Sequence, residues 1–186
     1  MNKIMFVLFA VLIAFSASAQ SQGTWAVGVG GDVAVPIGDF SNFSKVGIGG
    51  TAWAGYLVDE NLSITGKVGV LSFSGKDFTA SYTLLGVTTS TTVTGASTTI
   101  IPILVGARYF FMPPADMRVY GSADVGMYNI GNGGGTKVGF APSLGAQFKA
   151  GDNMNVDVRA NYTTITTEGS SSSWVGVGIG LEFGLK

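Results

Sequence analysis

The chain has 186 residues, a formal net charge of −1, no cysteine and no histidine. Only 11% of its residues are charged and 46% are hydrophobic, whereas soluble globular chains carry about 25% charged residues, so a water-exposed globule would lack the polar side chains to cover itself. The near-neutral balance without a basic run speaks against nucleic acid, and the missing Cys and His exclude disulfides, thiol chemistry and His/Cys metal clusters.

Residues 1–19 read as a cleavable signal peptide: Lys3 supplies the basic start, Ile4 to Phe15 the apolar segment, and Ala17-Ser18-Ala19 the small-residue cleavage site before Gln20. The apolar run is shorter than the ~20 residues of a membrane-spanning helix. No cysteine follows it to carry a lipid anchor. The mature domain is expected over 20–186, with period-two alternation throughout and no competing helical period.

Eight stretches alternate. The first, Thr24 to Val35, sets Trp25, Val27, Val29, Val33 and Val35 against Ala26, Gly28, Gly30, Asp32 and Ala34. The second, Val46 to Val58, sets Val46, Ile48, Ala52, Ala54 and Tyr56 against Gly47, Gly49, Thr51, Trp53 and Gly55. The third, Leu62 to about Leu71, opposes Leu62, Ile64, Val68 and Val70 to Ser63, Thr65, Lys67 and Gly69. The fourth, within "IIPILVGARYFF", opposes Ile103, Val105, Ala107, Tyr109 and Phe111 to Leu104, Gly106, Arg108 and Phe110. Pro102 cannot donate to a ladder and predicts a bulge or strand end there.

The fifth, Met117 to Tyr128, places Arg118, Tyr120, Ser122, Asp124 and Tyr128 opposite Met117, Val119, Ala123, Val125 and Met127. The sixth, Lys137 to Phe148, places Gly139, Ala141, Ser143, Gly145 and Gln147 opposite Val138, Phe140, Leu144, Ala146 and Phe148. The seventh, Met154 to about Ile165, places Asn155, Asp157, Arg159 and Asn161 opposite Met154, Val156, Val158, Ala160 and Tyr162. The eighth, "WVGVGIGLEFGLK", is apolar at Val175, Val177, Ile179, Leu181, Phe183 and Leu185; its other face is glycine with Trp174 and a lone Glu182.

Connections at 58–61, 112–116 and 150–153 are tight and rich in Asp, Asn, Gly and Pro. Longer links are expected at 36–45, 72–98, 129–136 and 166–173. Alternation of short and long is the layout of an outer-membrane barrel with tight periplasmic turns and longer external loops. The Thr/Ser run at 88–99 favours extension and predicts a hairpin that lengthens strands three and four.

A lipid-facing Lys or Arg at mid-bilayer costs about 2–4 kcal/mol, so strand charges should face the lumen. Asp32, Lys67, Arg108, Asp124, Asp157, Arg159 and Glu182 all fall on that side. An eight-stranded barrel has an interior just wide enough for side chains to fill, and three cations and four anions there predict a neutralising ion-pair network. Arg159–Glu182 is the preferred pair, with the glycines beside Glu182 leaving it room. A narrow solute path is the alternative use of the same charges. Trp25, Tyr56, Tyr109, Phe111, Phe148 and Phe183 suit an interfacial girdle at the tight-turn end.

"GGTAWAGYLVDENLSITGKVGVL", "IIPILVGARYFF", the leader ending "SASAQ" and the closing "GIGLEFGL" together resemble small OmpA/OmpX-type outer-membrane barrels, the "porin family" or outer-membrane β-barrel domain proteins of Bacteroidota. The resemblance covers the whole mature chain. It implies an all-β, eight-stranded antiparallel up-and-down transmembrane barrel, contact with outer-membrane lipid, handling by the barrel-assembly machinery, and extracellular ligands met through the loops. Gly180, Phe183 and Leu185 are similar to the assembly signal of barrel proteins, whose commonest form ends on Phe where this chain has Lys186.

Nothing predicts an enzyme or a cofactor. Outer-membrane enzymes on similar barrels rely on histidine as base, and without His or Cys the usual nucleophile–base arrangements are missing. Asp157 and Glu182 are the one carboxylate couple suited to acid–base work, and internal pairing is the expected role. The "GVGG" and "GVGIG" stretches precede no helix and are not nucleotide loops. Three classes stay open: a structural or surface-interaction barrel, a narrow channel, and a soluble barrel holding an apolar ligand.

Overall fold

The structure, a computed structural model, describes residues 24–84, 87–167 and 170–185. The leader expected over 1–19 and Lys186 lie outside them. Ten strands and one short helix follow in chain order: β1 (Thr24–Ile37), α1 (Phe40–Phe43), β2 (Ser44–Leu57), β3 (Leu62–Gly75), β4 (Phe78–Leu84), β5 (Val87–Val93), β6 (Thr98–Phe110), β7 (Met117–Ile130), β8 (Gly135–Lys149), β9 (Met154–Thr167) and β10 (Ser170–Leu185). Eight of them close a barrel in the order β1-β10-β9-β8-β7-β6-β3-β2, and every neighbouring pair is antiparallel.

The register fixes the stagger. Stepping across the ladders from Glu182 through Gly28, Trp53, Lys67, Leu104, Gly126, Gly139 and Ile165 returns to β10 at Ser172. The displacement from position 182 to position 172 is ten residues, the shear that accompanies strands tilted by roughly 35–45°.

Alternation decides the facing. Ile48 is 66% exposed, Leu144 64%, Val29 63% and Ile179 60%, while their neighbours Gly47, Ser143 and Gly180 are enclosed. A wall of exposed Val, Ile and Leu around an interior that holds the buried charges inverts the soluble barrel and suits a lipid surround. The soluble ligand-holding reading therefore fails.

Two of the expected long links are mostly wall. β7 and β8 are joined by 131–134 alone, and β9 runs on to Thr167 while β10 begins at Ser170. Ser, Thr and Gly dominate 129–136 and 166–173, so alternation is invisible there, yet the ladder continues: Asn129 pairs with Thr136 and Thr166 with Ser171. The turn at 58–61 is built by Asp59, whose Oδ1 accepts the amides of Asn61 and Leu62 at 2.7 and 2.8 Å.

The hairpin at 78–93 is present, but it does not lengthen the barrel strands. β4 and β5 form a separate two-stranded sheet. Where it leaves the wall, Gly75 and Gly95 bring two backbones into contact, and a β-carbon on either would overlap main-chain atoms of the other segment. That close crossing breaks the continuity expected from β-propensity alone. The hairpin base is held to α1 and β2 by the Lys76 amide donating to the Phe43 carbonyl at 2.9 Å and by Lys45–Asp77 at 3.1 Å.

Candidate functional site in the barrel lumen

The half of the lumen nearer the 58–61, 112–116 and 150–153 turns is filled by charge. Glu182 Oε2 accepts from Arg108 Nη1 at 2.8 Å and from Trp53 Nε1 at 2.6 Å, while Oε1 accepts from Gln147 Nε2 at 2.6 Å. Arg108 is buried with its guanidinium 4.5 Å from the Tyr120 ring centre, and Nη2 lies 4.0 Å from Asp157. Asp157, fully buried, accepts from Tyr120 Oη at 2.9 Å and from Arg159 Nη1 at 3.2 Å. Arg159 passes the chain on to Asp32 at 2.8 Å, whose other oxygen accepts from Thr51 Oγ1. A second cluster pairs Lys67 with Asp124 at 2.7 Å, with Thr65 Oγ1 donating to Asp124 at 3.3 Å.

All seven charges assigned to the interior therefore lie in it, in two clusters. The expected Arg159–Glu182 pair is not formed. Glu182 stands opposite Asn155 on β9, while Arg159 stands opposite Gly178, four residues along β10. That offset gives Arg159 to Asp32 and Asp157. Glu182 instead reaches across the lumen to Arg108, 74 positions away in sequence.

The glycines beside Glu182 have a different purpose from the one expected. A β-carbon at Gly28 or Gly180 would overlap the Trp53 ring, so these positions make room for the indole that donates to Glu182. A β-carbon at Gly178 would meet Asp32 Oδ1 and crowd the Arg159 guanidinium. Sequence parity had Trp53, Tyr120 and Gln147 facing inward, but nothing in one strand reveals which carboxylate each would meet. Arg118, also inward by parity, stacks on the Phe110 ring at 3.8 Å and donates to the Glu60 carbonyl at the turn end.

The other half of the lumen is apolar. Phe73, Ile100, Ile165, Tyr128 and Trp174 are at most 2% exposed and form one cluster with Ala34 and Leu71. Phe40 of α1 closes it from the loop end, its ring 5.0 Å from Phe73 and 6.1 Å from Trp174. This plug was not anticipated, because Phe73 lies beyond the expected end of the third stretch and Ile100 precedes Pro102. A cavity of about 60 Å3 is lined by Asp32, Lys67, Asp124 and Arg159 together with Tyr128 and Trp174.

On the outer face, Tyr109, Phe111, Phe148 and Phe183 are 40–58% exposed near the turn end, and the Trp25 and Tyr56 rings meet at a tilt with centres 4.9 Å apart. Within the expected assembly signal, Phe183 and Leu185 face outward on β10, which closes the barrel against β1. Pro102 falls within β6, where the β3 ladder lapses between Val68–Ile103 and Leu71–Ile100 without a register shift.

The sequence that builds this wall and this interior matches a known family model. The model for the outer membrane protein beta-barrel domain matches residues 7–183. The chain belongs to that family. It is a bacterial outer-membrane protein that sits in the membrane lipid. Among solved structures, Neisserial surface protein A is similar at 14% identity and a TM-score of 0.57, over 88% of this chain and 97% of that one. OprG from Pseudomonas aeruginosa is similar at 10% identity and 0.56, over 88% and 96%. Ail of Yersinia pestis, solved with the heparin analogue sucrose octasulfate, is similar at 13% identity and 0.53, over 89% and 100%. At such identities the likeness is one of fold. No curated protein matches the chain.

Proposed function

We infer that this protein is a non-conducting, non-enzymatic outer-membrane barrel with a structural and surface-interaction role. The observation that carries the reading is a lumen obstructed twice, by the Arg108–Glu182–Trp53–Gln147 layer and by the Phe73–Tyr128–Trp174 plug. Against catalysis stand the absence of His and Cys from the sequence and the engagement of both candidate carboxylates. Asp157 is held by Tyr120 and Arg159, and Glu182 accepts three hydrogen bonds.

In this reading residues 1–19 are removed on export, Gly180, Phe183 and Leu185 form the strand presented to the assembly machinery, and the tight turns face the periplasm. The α1 segment and the β4–β5 hairpin then meet the outside, where extracellular ligands would bind. Conductance of the refolded protein in planar bilayers is the test. A flat trace in wild type is expected; steady, ion-selective steps would overturn the closed-lumen reading in favour of a narrow channel.

A further inference from the structure

The β4–β5 hairpin has two unlike faces. On one, hydroxyls meet in cross-strand pairs: Thr79 with Thr92 at 3.2 Å and Ser81 with Ser90 at 2.8 Å. Alternation puts Phe78, Ala80, Thr91 and Val93 on the other, where Phe78 is 48% and Val93 59% exposed and the two stand opposite in register. Residues 78–93 contain no charged side chain. An uncharged, β-prone ribbon that forms its own two-stranded sheet and leaves Phe78 and Val93 exposed calls for a partner over that apolar face.

The surroundings say which partner. Phe43, 62% exposed, contacts the Phe78 ring with centres 6.3 Å apart. Three residues on from Phe43, Val46 and then Ile48 (50% and 66% exposed) begin the outward apolar face of β2. The hairpin's Phe78 thus meets Phe43, which stands three residues in the chain before the outward apolar face of β2. The Gly75–Gly95 crossing lets the ribbon depart from the barrel wall, and the Lys45–Asp77 pair fixes charges only at its base.

We propose that the β4–β5 hairpin is a membrane-docking paddle, which lays its Phe78–Ala80–Val93 face on the lipid surface surrounding the barrel and turns its Thr/Ser face to water. Burying apolar surface in the interface supplies the driving force, as it does for amphipathic helices lying in the membrane plane. The inference rests on membrane location and is independent of whether the lumen conducts.

The natural absence of cysteine makes single-cysteine nitroxide labelling clean. Full-length Ala80→Cys and Ser81→Cys proteins, labelled and refolded into phosphatidylcholine vesicles, are compared by relaxation with oxygen, which partitions into lipid, and with a water-soluble nickel chelate. Val177→Cys, on the lipid-facing wall, supplies the reference. The oxygen-to-nickel ratio should be several-fold higher at Ala80 than at Ser81 and should approach that at Val177. Phe78→Asp should bring the Ala80 label into water while the heat-modifiable gel shift of a closed barrel is kept; Val93→Asp serves if that variant does not fold. Equal nickel access at Ala80 and Ser81 would overturn the proposal in favour of an upright hairpin. Protection of Ala80 from both reagents, with spin–spin broadening that fades on dilution into more lipid, would overturn it in favour of contact between copies.

Discussion

Near the tight turns, Arg108–Glu182 and Asp157–Arg159–Asp32 fill the lumen through hydrogen bonds of 2.8–3.2 Å, and a 4.0 Å ion pair between Arg108 and Asp157 joins the two sets. Toward the loop end of the same tube, Phe73, Ile100, Tyr128, Ile165 and Trp174 fill it with rings and branched chains, and no charged residue belongs to the cluster. The tube has one strand count and one shear throughout, so geometry does not impose the difference. The charged half depends on direction: each carboxylate oxygen needs its donor at hydrogen-bond distance, and an enclosed charge left without one is costly. The apolar half depends on volume and is limited by how tightly the rings interlock. Both obstruct the lumen, but they should fail in different ways.

The largest effect is expected at Arg108. Arg108→Met leaves Glu182 and Asp157 enclosed with fewer partners, and breaking a buried pair from one side costs about 3–5 kcal/mol. Urea titration of the refolded protein in vesicles should read a loss of that order, and Glu182→Gln should recover much of it in the double variant. Additive losses at 108 and 182 would mean that the two residues do not pair. Arg159→Gln combined with Glu182→Gln should couple far more weakly, since Arg159 contacts Asp32 and Asp157 instead.

Trp174→Ala tests the apolar half with a loss of similar size, about 3–5 kcal/mol from a large-to-small change, but of different character. The cavity it leaves should be recovered in part by Trp174→Phe, whereas no isosteric neutral residue restores a donor for Glu182. Conductance sharpens the contrast. Trp174→Ala alone should stay closed because the Arg108–Glu182 layer persists, and currents from it would mean that the plug is the single barrier.

Facing comes next. Val177→Arg places a cation on the lipid side at a cost of about 2–4 kcal/mol. Gly178→Ser, which parity alone marks as harmless, should also destabilise, by about 1–3 kcal/mol as overpacking does, because its β-carbon meets the Asp32–Arg159 bridge. Gly184→Ser is the control, since Gly184 lies on the same face of β10 as Gly178 and a β-carbon there meets only the Asn153 carbonyl at 4.0 Å. Equal tolerance of serine at 184 and 178 would remove the bridge from its proposed position. The smallest effect belongs outside the lumen: Lys45→Met removes an ion pair whose side chains are 50% and 45% exposed, and exposed pairs of this kind contribute about 0–1 kcal/mol. The melting transition should hardly move.

The sequence by itself determined the middle of the wall and the inward facing of Asp32, Lys67, Arg108, Asp124, Asp157, Arg159 and Glu182, because a side-chain period of two admits only two faces and a lipid surround rejects ions from one of them. Trp53, Tyr120, Gln147 and Trp174 were legible as inward for the same reason. Their partners were not. Pairing across a closed lumen depends on the stagger accumulated around all eight strands, and a ten-residue shear brings Arg108 on β6 to Glu182 on β10 while holding Arg159 two rungs away, at Asp157 and Asp32. The ladders beyond Asn129 and Thr166 were hidden because Ser, Thr and Gly suit either face and carry no period. The departure of the hairpin from the wall was hidden as well, because it rests on Gly75 meeting Gly95, two residues that come together only once β3 and β6 have paired. Local alternation is a property of one strand, whereas register, closure and crossing are properties of the whole sheet, and only the folded barrel settles them.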